Sequence, residues 1–145
     1  MAAENSTSEV KVVGRGAFPA VGPKVGLIEN TVSIIGLDEA NDSTAVFTLP
    51  AGTLVMAMGI EVIIASENAV TGSLGLDGSS AGSRTEFSGE LATNGTAGTM
   101  LAAGYLSANV MLSGSDSIVF ELSADPGATG SIRVWAIIAD VDGMT

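Results

Sequence analysis

The chain has 145 residues, 46% of them hydrophobic, enough for one domain with a sizeable core. Five Lys and Arg against sixteen Asp and Glu leave a net charge of −11, which argues against a basic nucleic-acid-binding face and a polybasic membrane-surface module. Cysteine and histidine are absent, so disulfides, thiolate metal sites and imidazole bases are excluded, and hydrolytic or zinc chemistry is disfavoured. The opening MAAENSTSEV is polar and acidic, without the positive start and apolar core of a secretory signal.

In "SEVKVVGRG", Val10 and Val12 alternate with Lys11 and Val13, which gives one possible strand. Residues 16–30, "GAFPAVGPKVGLIEN", carry two prolines and three glycines with no clear period, yet scattered apolar side chains. This reads as an extended arm that lies on something else, so the chain divides into an arm over 1–30 and a sandwich domain over 31–145. "TVSIIGL" then predicts a short strand between Asn30 and Asp38.

"FTLPAGTLVMAMGIEVIIASE", Phe47–Glu67, is the longest apolar stretch. A membrane helix needs about 20 apolar residues. Pro50, Gly52, Gly59 and Glu61 interrupt this one, so no membrane span is expected. Val55, Ile60, Val62, Ile63 and Ile64 are branched at Cβ, which suits a pleated strand better than a helix. Alternation puts Leu54, Met56, Met58, Ile60, Val62 and Ile64 on one apolar face, with Val55, Ala57, Gly59, Glu61, Ile63 and Ala65 opposite. Pro50 and Gly52 make a turn between a strand at Ser43–Leu49 and a long strand at Thr53–Ala65.

"TGSLGLDG" predicts a strand with Leu74 and Leu76 inward, closed by an Asp-Gly turn. Gly89–Gly98 reads as a loop, and Thr99–Leu112 as strands around Gly104. "SDSIVFELSA" places Ile118, Phe120 and Leu122 on one face. "GSIRVWAIIADVDG" places Ile132, Val134, Ala136 and Ile138 on one face and Arg133, Trp135 and Ile137 on the other. Many short strands with Gly and Pro turns predict an all-β fold, a jelly-roll-like antiparallel β-sandwich with an extended N-terminal arm.

No constellation of side chains carries chemistry. The acids offer many pairs but no companion base or motif, so no catalytic residue is assigned and the chain does not read as an enzyme. "LDEAND", with Asp38, Glu39, Asn41 and Asp42, and "DVDG", with Asp140 and Asp142, lack the register of a calcium loop and read better as turns. "GSLGLDGSSAG" lacks the Gly-Lys-Ser/Thr and the helix of a phosphate loop. Met56 and Met58 read as core filling, so no metal and no cofactor are expected. Trp135 and Arg133 share the face opposite the Ile132/Val134 set, and these residue types are enriched at interface centres.

The segments "FTLPAGTLVMAMGIEVIIA", "GSLGLDG", "LAAGYLSA", "DSIVFELSA" and "GSIRVWAIIADVDG", spanning Ser43 to Gly143, resemble small virion proteins of tailed bacteriophages of marine and cyanophage type, namely capsid decoration or cement proteins. Residues 2–30 have no counterpart in that pattern. The resemblance implies a jelly-roll-like domain, often a homotrimer, on the capsid surface of a virion assembled in the host cytoplasm, with the major capsid protein as partner. The expected contacts are Phe18, Pro19, Val21, Val25 and Leu27 of the arm, with Arg133 and Trp135 at a subunit contact. The alternative is a tail or head fibre-type receptor-binding module of the virion, using loops Asp77–Glu86 and Leu91–Thr99.

Overall fold

The computed structural model describes residues 11–12 and 24–141, with 11, 12, 24 and 102–109 by backbone alone. The described residues form nine strands and no helix: β1 Lys11–Val12, β2 Lys24–Ser33, β3 Ser43–Leu49, β4 Thr53–Ile64, β5 Thr71–Leu76, β6 Ser88–Ala92, β7 Met100–Met111, β8 Asp116–Leu122 and β9 Ser131–Asp140. One sheet has the order β1-β2-β9-β4-β7 and the other β3-β8-β5-β6, all pairs antiparallel.

The pairing is nested. β5 pairs β6, β4 pairs β7, β3 pairs β8 and β2 pairs β9, as in one long hairpin with its tip between β5 and β6. Rolling that hairpin brings β4 against β9 and β5 against β8. The result is the eight-stranded jelly roll expected from the alternating pattern, with β1 added at the β2 edge.

The inner faces of the two sheets meet over a single apolar core. Ile28, Met58, Ile60, Ile132 and Val134 come from one sheet, and Phe47, Leu74, Ile118, Phe120 and Leu122 from the other. Phe47 and Phe120 are the largest fully buried side chains. The Phe120 ring fits because Gly72, across the β5–β8 pair, has no side chain: a Cβ there would stand 2.1 Å from the ring. The turn at Pro50–Gly52 forms as predicted, with Gly52 at φ 84°.

Four local readings change. β2 starts at Lys24 and pairs with β9 along its whole length, from Lys24↔Asp140 to Ser33↔Ser131. Val25 and Leu27, read from the sequence as arm residues, are therefore sheet residues, and the "TVSIIGL" strand is the end of β2. β6 occupies part of Gly89–Gly98. β7 is one twelve-residue strand whose pairing with β4 is irregular around Gly104. In β4 the predicted face holds at Met58, Ile60 and Val62, but bulges between Val55 and Ala57 and between Val62 and Ile64 shift the phase. Val55 is therefore buried while Leu54 and Met56 are half-buried, and Ile64 is 53% exposed.

A further bulge in β3 leaves Val46 without a partner in β8, since Ala45 faces Val119 and Phe47 faces Ile118. The freed Val46 carbonyl accepts a 2.8 Å bond from Asn30 Nδ2, which joins the two sheets through the core.

Candidate interaction surface

Residues in register on neighbouring antiparallel strands point to the same side of a sheet. With Ile28, Ile132, Val134, Ala136 and Ile138 committed to the core, the outer face of the five-stranded sheet is built from the alternate positions. β9 supplies Arg133, Trp135 and Ile137; β2 supplies Val25, Leu27 and Glu29; β4 supplies Ala57, Gly59 and Glu61. The register sets Leu27 and Ala57 on either side of Ile137, Glu29 and Gly59 on either side of Trp135, and Thr31 and Glu61 on either side of Arg133.

The surface thus has an apolar end and a charged end. At the charged end, Arg133 donates from Nε (3.1 Å) and Nη2 (2.5 Å) to Oε1 of Glu61 in the directly opposite position. It also reaches Glu29 diagonally, at 3.7 Å. The hydrogen bonds to Glu61 come first in holding the guanidinium above its ordinary value; burial opposes them, and the charges of Glu61 and Glu29 add to them. One cation is thereby fixed between two carboxylates on strands either side of its own. All three side chains are partly exposed, so the group orients the surface more than it stabilises the fold.

At the centre sits Trp135, half-buried, opposite Gly59, where no side chain competes for the space. Its indole Nε1 is buried and has no hydrogen-bond partner among the described residues. Val25, Leu27 and Ile137 are half-buried around the apolar end.

Of the residues singled out from sequence, Val25, Leu27, Arg133 and Trp135 therefore share one face. Phe18, Pro19 and Val21 lie outside the described residues. Glu29, Glu61 and Ile137 were not singled out. The signal for Glu61 was its place as the lone charge in an otherwise apolar strand.

The turn-forming reading of "LDEAND" holds in its geometry: the Asp42 carboxylate accepts the Glu39 N–H at 3.1 Å. Among the described residues no group of three or more acidic side chains is placed to hold a metal ion.

No protein-family model and no curated protein matches the chain. Solved structures do. A chain of the acidic stable capsid structure of Helicobacter pylori bacteriophage KHP30 superposes with a TM-score of 0.53 at 12% identity, over 79% of this chain and 86% of that one. A chain of the cyanophage Pam1 capsid asymmetric unit superposes with a TM-score of 0.50 at 20% identity, over 85% and 91%. At these identities the likeness is one of fold.

Proposed function

We propose that this protein is a structural, non-enzymatic component of a bacteriophage virion. It binds the outer surface of the capsid and cements or decorates neighbouring major capsid subunits, as a homo-oligomer such as a trimer, with the particle assembled in the host cytoplasm. The observation that carries this reading is the outer face around Trp135. There a large, half-buried aromatic ring sits between apolar neighbours and a fixed Glu–Arg–Glu row. Such a surface suits a protein contact, in which aromatic and Arg anchors dominate the binding energy. The shared fold with chains of two phage capsid structures supports the setting. The residues before β2, including Phe18, Pro19 and Val21, would add contact area at about 25 cal/mol per Å² of apolar surface buried, before ordering costs.

The test is reattachment to purified phage heads that lack the protein, scored by co-sedimentation. Trp135→Ala is expected to weaken binding by about 2 kcal/mol or more, roughly thirtyfold, while the isolated domain stays folded. Removing residues 2–23, which spares β2, is expected to lower occupancy further. Unchanged binding by both variants would count against the reading. Immunogold labels confined to the tail would favour the receptor-binding alternative.

A further inference from the structure

The loop from Asp77 to Phe87 joins β5 to β6 and lies on the outside of the four-stranded sheet. Its two ends are fixed by backbone bonds, Asp77 N–H to the Ser117 carbonyl at 2.9 Å and Phe87 N–H to the Leu74 carbonyl at 3.0 Å. Between Ser80 and Glu86 the backbone-to-backbone bonds among the described residues stay within the loop, Ser83 to Ser80 and Thr85 to Ser83. Among the described residues, every hydrogen bond from this stretch to a strand ends on a carboxylate. Gly82 N–H donates to both oxygens of Glu121 in β8, 3.1 Å each, and Arg84 Nη1 donates to Glu121 Oε2 at 3.1 Å. Glu86 accepts the N–H of Leu76, the last residue of β5, at 2.9 Å, and also accepts the Ser79 hydroxyl.

We propose that this loop is a strap latched to the four-stranded sheet by the Glu86 and Glu121 carboxylates, and that acid releases it by protonating Glu86. Beneath it the packing is close. The Arg84 backbone lies against Gly75, where a Cβ would come within 2.5 Å of it. The strap also lines a cleft of about 200 Å³ through Gly82 and Thr85, together with Asn41, Thr71, Glu90 and Glu121. Unlatching moves that part of the lining.

The charges facing the latch are unbalanced. Among the described residues Arg84 is the only cation at the latch, 3.1 Å from Glu121 and 3.6 Å from Asp77. Asp116 of β8 approaches the strap at Gly78, and Glu90 of β6 lines the same cleft. For Glu86, burial pushes the carboxyl up. The bonds from Ser79, from Leu76 N–H and from its own N–H, with the charge of Arg84, outweigh burial and hold it below its ordinary value of 4.5. A depressed value means that the latch contribution is complete above 4.5 and is lost as the pH falls through the latched value below it. At neutral pH the strap is therefore closed.

Hydrogen exchange on the full chain, read by mass spectrometry and corrected for intrinsic rates, tests this. As the pH is lowered from neutral to well below 4.5, the peptide covering 76–87 is expected to lose protection while peptides from β8 and β9 keep theirs. At neutral pH, Glu86→Gln and Glu121→Gln should each reproduce the loss, and trypsin should cut after Arg84 at least tenfold faster than in the parent chain. Should Glu121→Gln fail to fold, Glu86→Gln, on the strap itself, decides alone. Protection that persists in acid, or that falls only together with β8 and β9, or a Glu86→Gln protein that exchanges and cleaves like the parent, would overturn the proposal.

Discussion

Gly72 shows how much can rest on the absence of a single carbon. Gly72→Ala would place a Cβ 2.1 Å from the Phe120 ring at the centre of the core. The expected loss is about 1–3 kcal/mol of stability, seen as a lower urea midpoint with an unchanged slope. The sequence showed a glycine in a turn-rich strand and could not show which ring would lie against it, because that depends on the β5–β8 register. Glu121 was hidden for the same reason. It lies between Phe120 and Leu122 of the core set and so faces outward, but a strap from elsewhere in the chain then covers it to 5% exposure. Asn30 also looked like a boundary residue before a strand. Its role became visible only once the β3 bulge had freed a carbonyl for it.

At the level of elements, period two carried most of the fold. β3 matches its expected bounds, and β4, β5, β8 and β9 begin and end within a few residues of theirs. The faces of β8 and β9 came out as read because no bulge interrupts their core-facing sets. β4 was legible only in its middle. A bulge adds a residue to one strand and flips every side chain beyond it, and nothing in "TLVMAMGIEVII" marks where that happens. The consequence can be measured. Ile60→Lys is expected to prevent folding at 37 °C, as an unpaired buried charge, whereas Ile64→Lys should stay within about 0.5 kcal/mol of the parent. Thermal unfolding of the two variants checks this; on the uninterrupted pattern they would behave alike. β2 was missed in its first half because Pro23 and Gly26 weaken the local signal. Its ten-residue register with β9, not propensity, makes it a strand. That misreading also hid part of the outer sheet face: Val25 and Leu27, read as arm residues, are residues of β2. Arg133 and Trp135 were legible from their alternation, while Glu29 and Glu61 needed the neighbouring strands to be in place.

For the whole molecule, the nested pairing makes nearly every strong contact distant in sequence. β2 and β9, which meet residue for residue, are separated by the entire remaining domain. Loop closure must precede those contacts, so refolding is expected on the order of milliseconds to seconds rather than microseconds. Stopped-flow fluorescence of Trp135, the single tryptophan, reads the step in which β9 docks between β2 and β4. A microsecond phase that carried the full amplitude would contradict the rolled-hairpin order of assembly.

The same closure has a mechanical side. Lys24 opens β2 and Asp140 closes β9, and the two are directly paired at one end of the β2–β9 ladder. Tension applied through the two ends of the domain would break the ladder one rung at a time, in the manner of a zipper, instead of shearing all rungs together. Such a ladder resists pulling poorly at its Lys24–Asp140 end and well across the breadth of the sheet. Load on the domain is therefore best taken across the broad face around Trp135, where β9 is held on both sides.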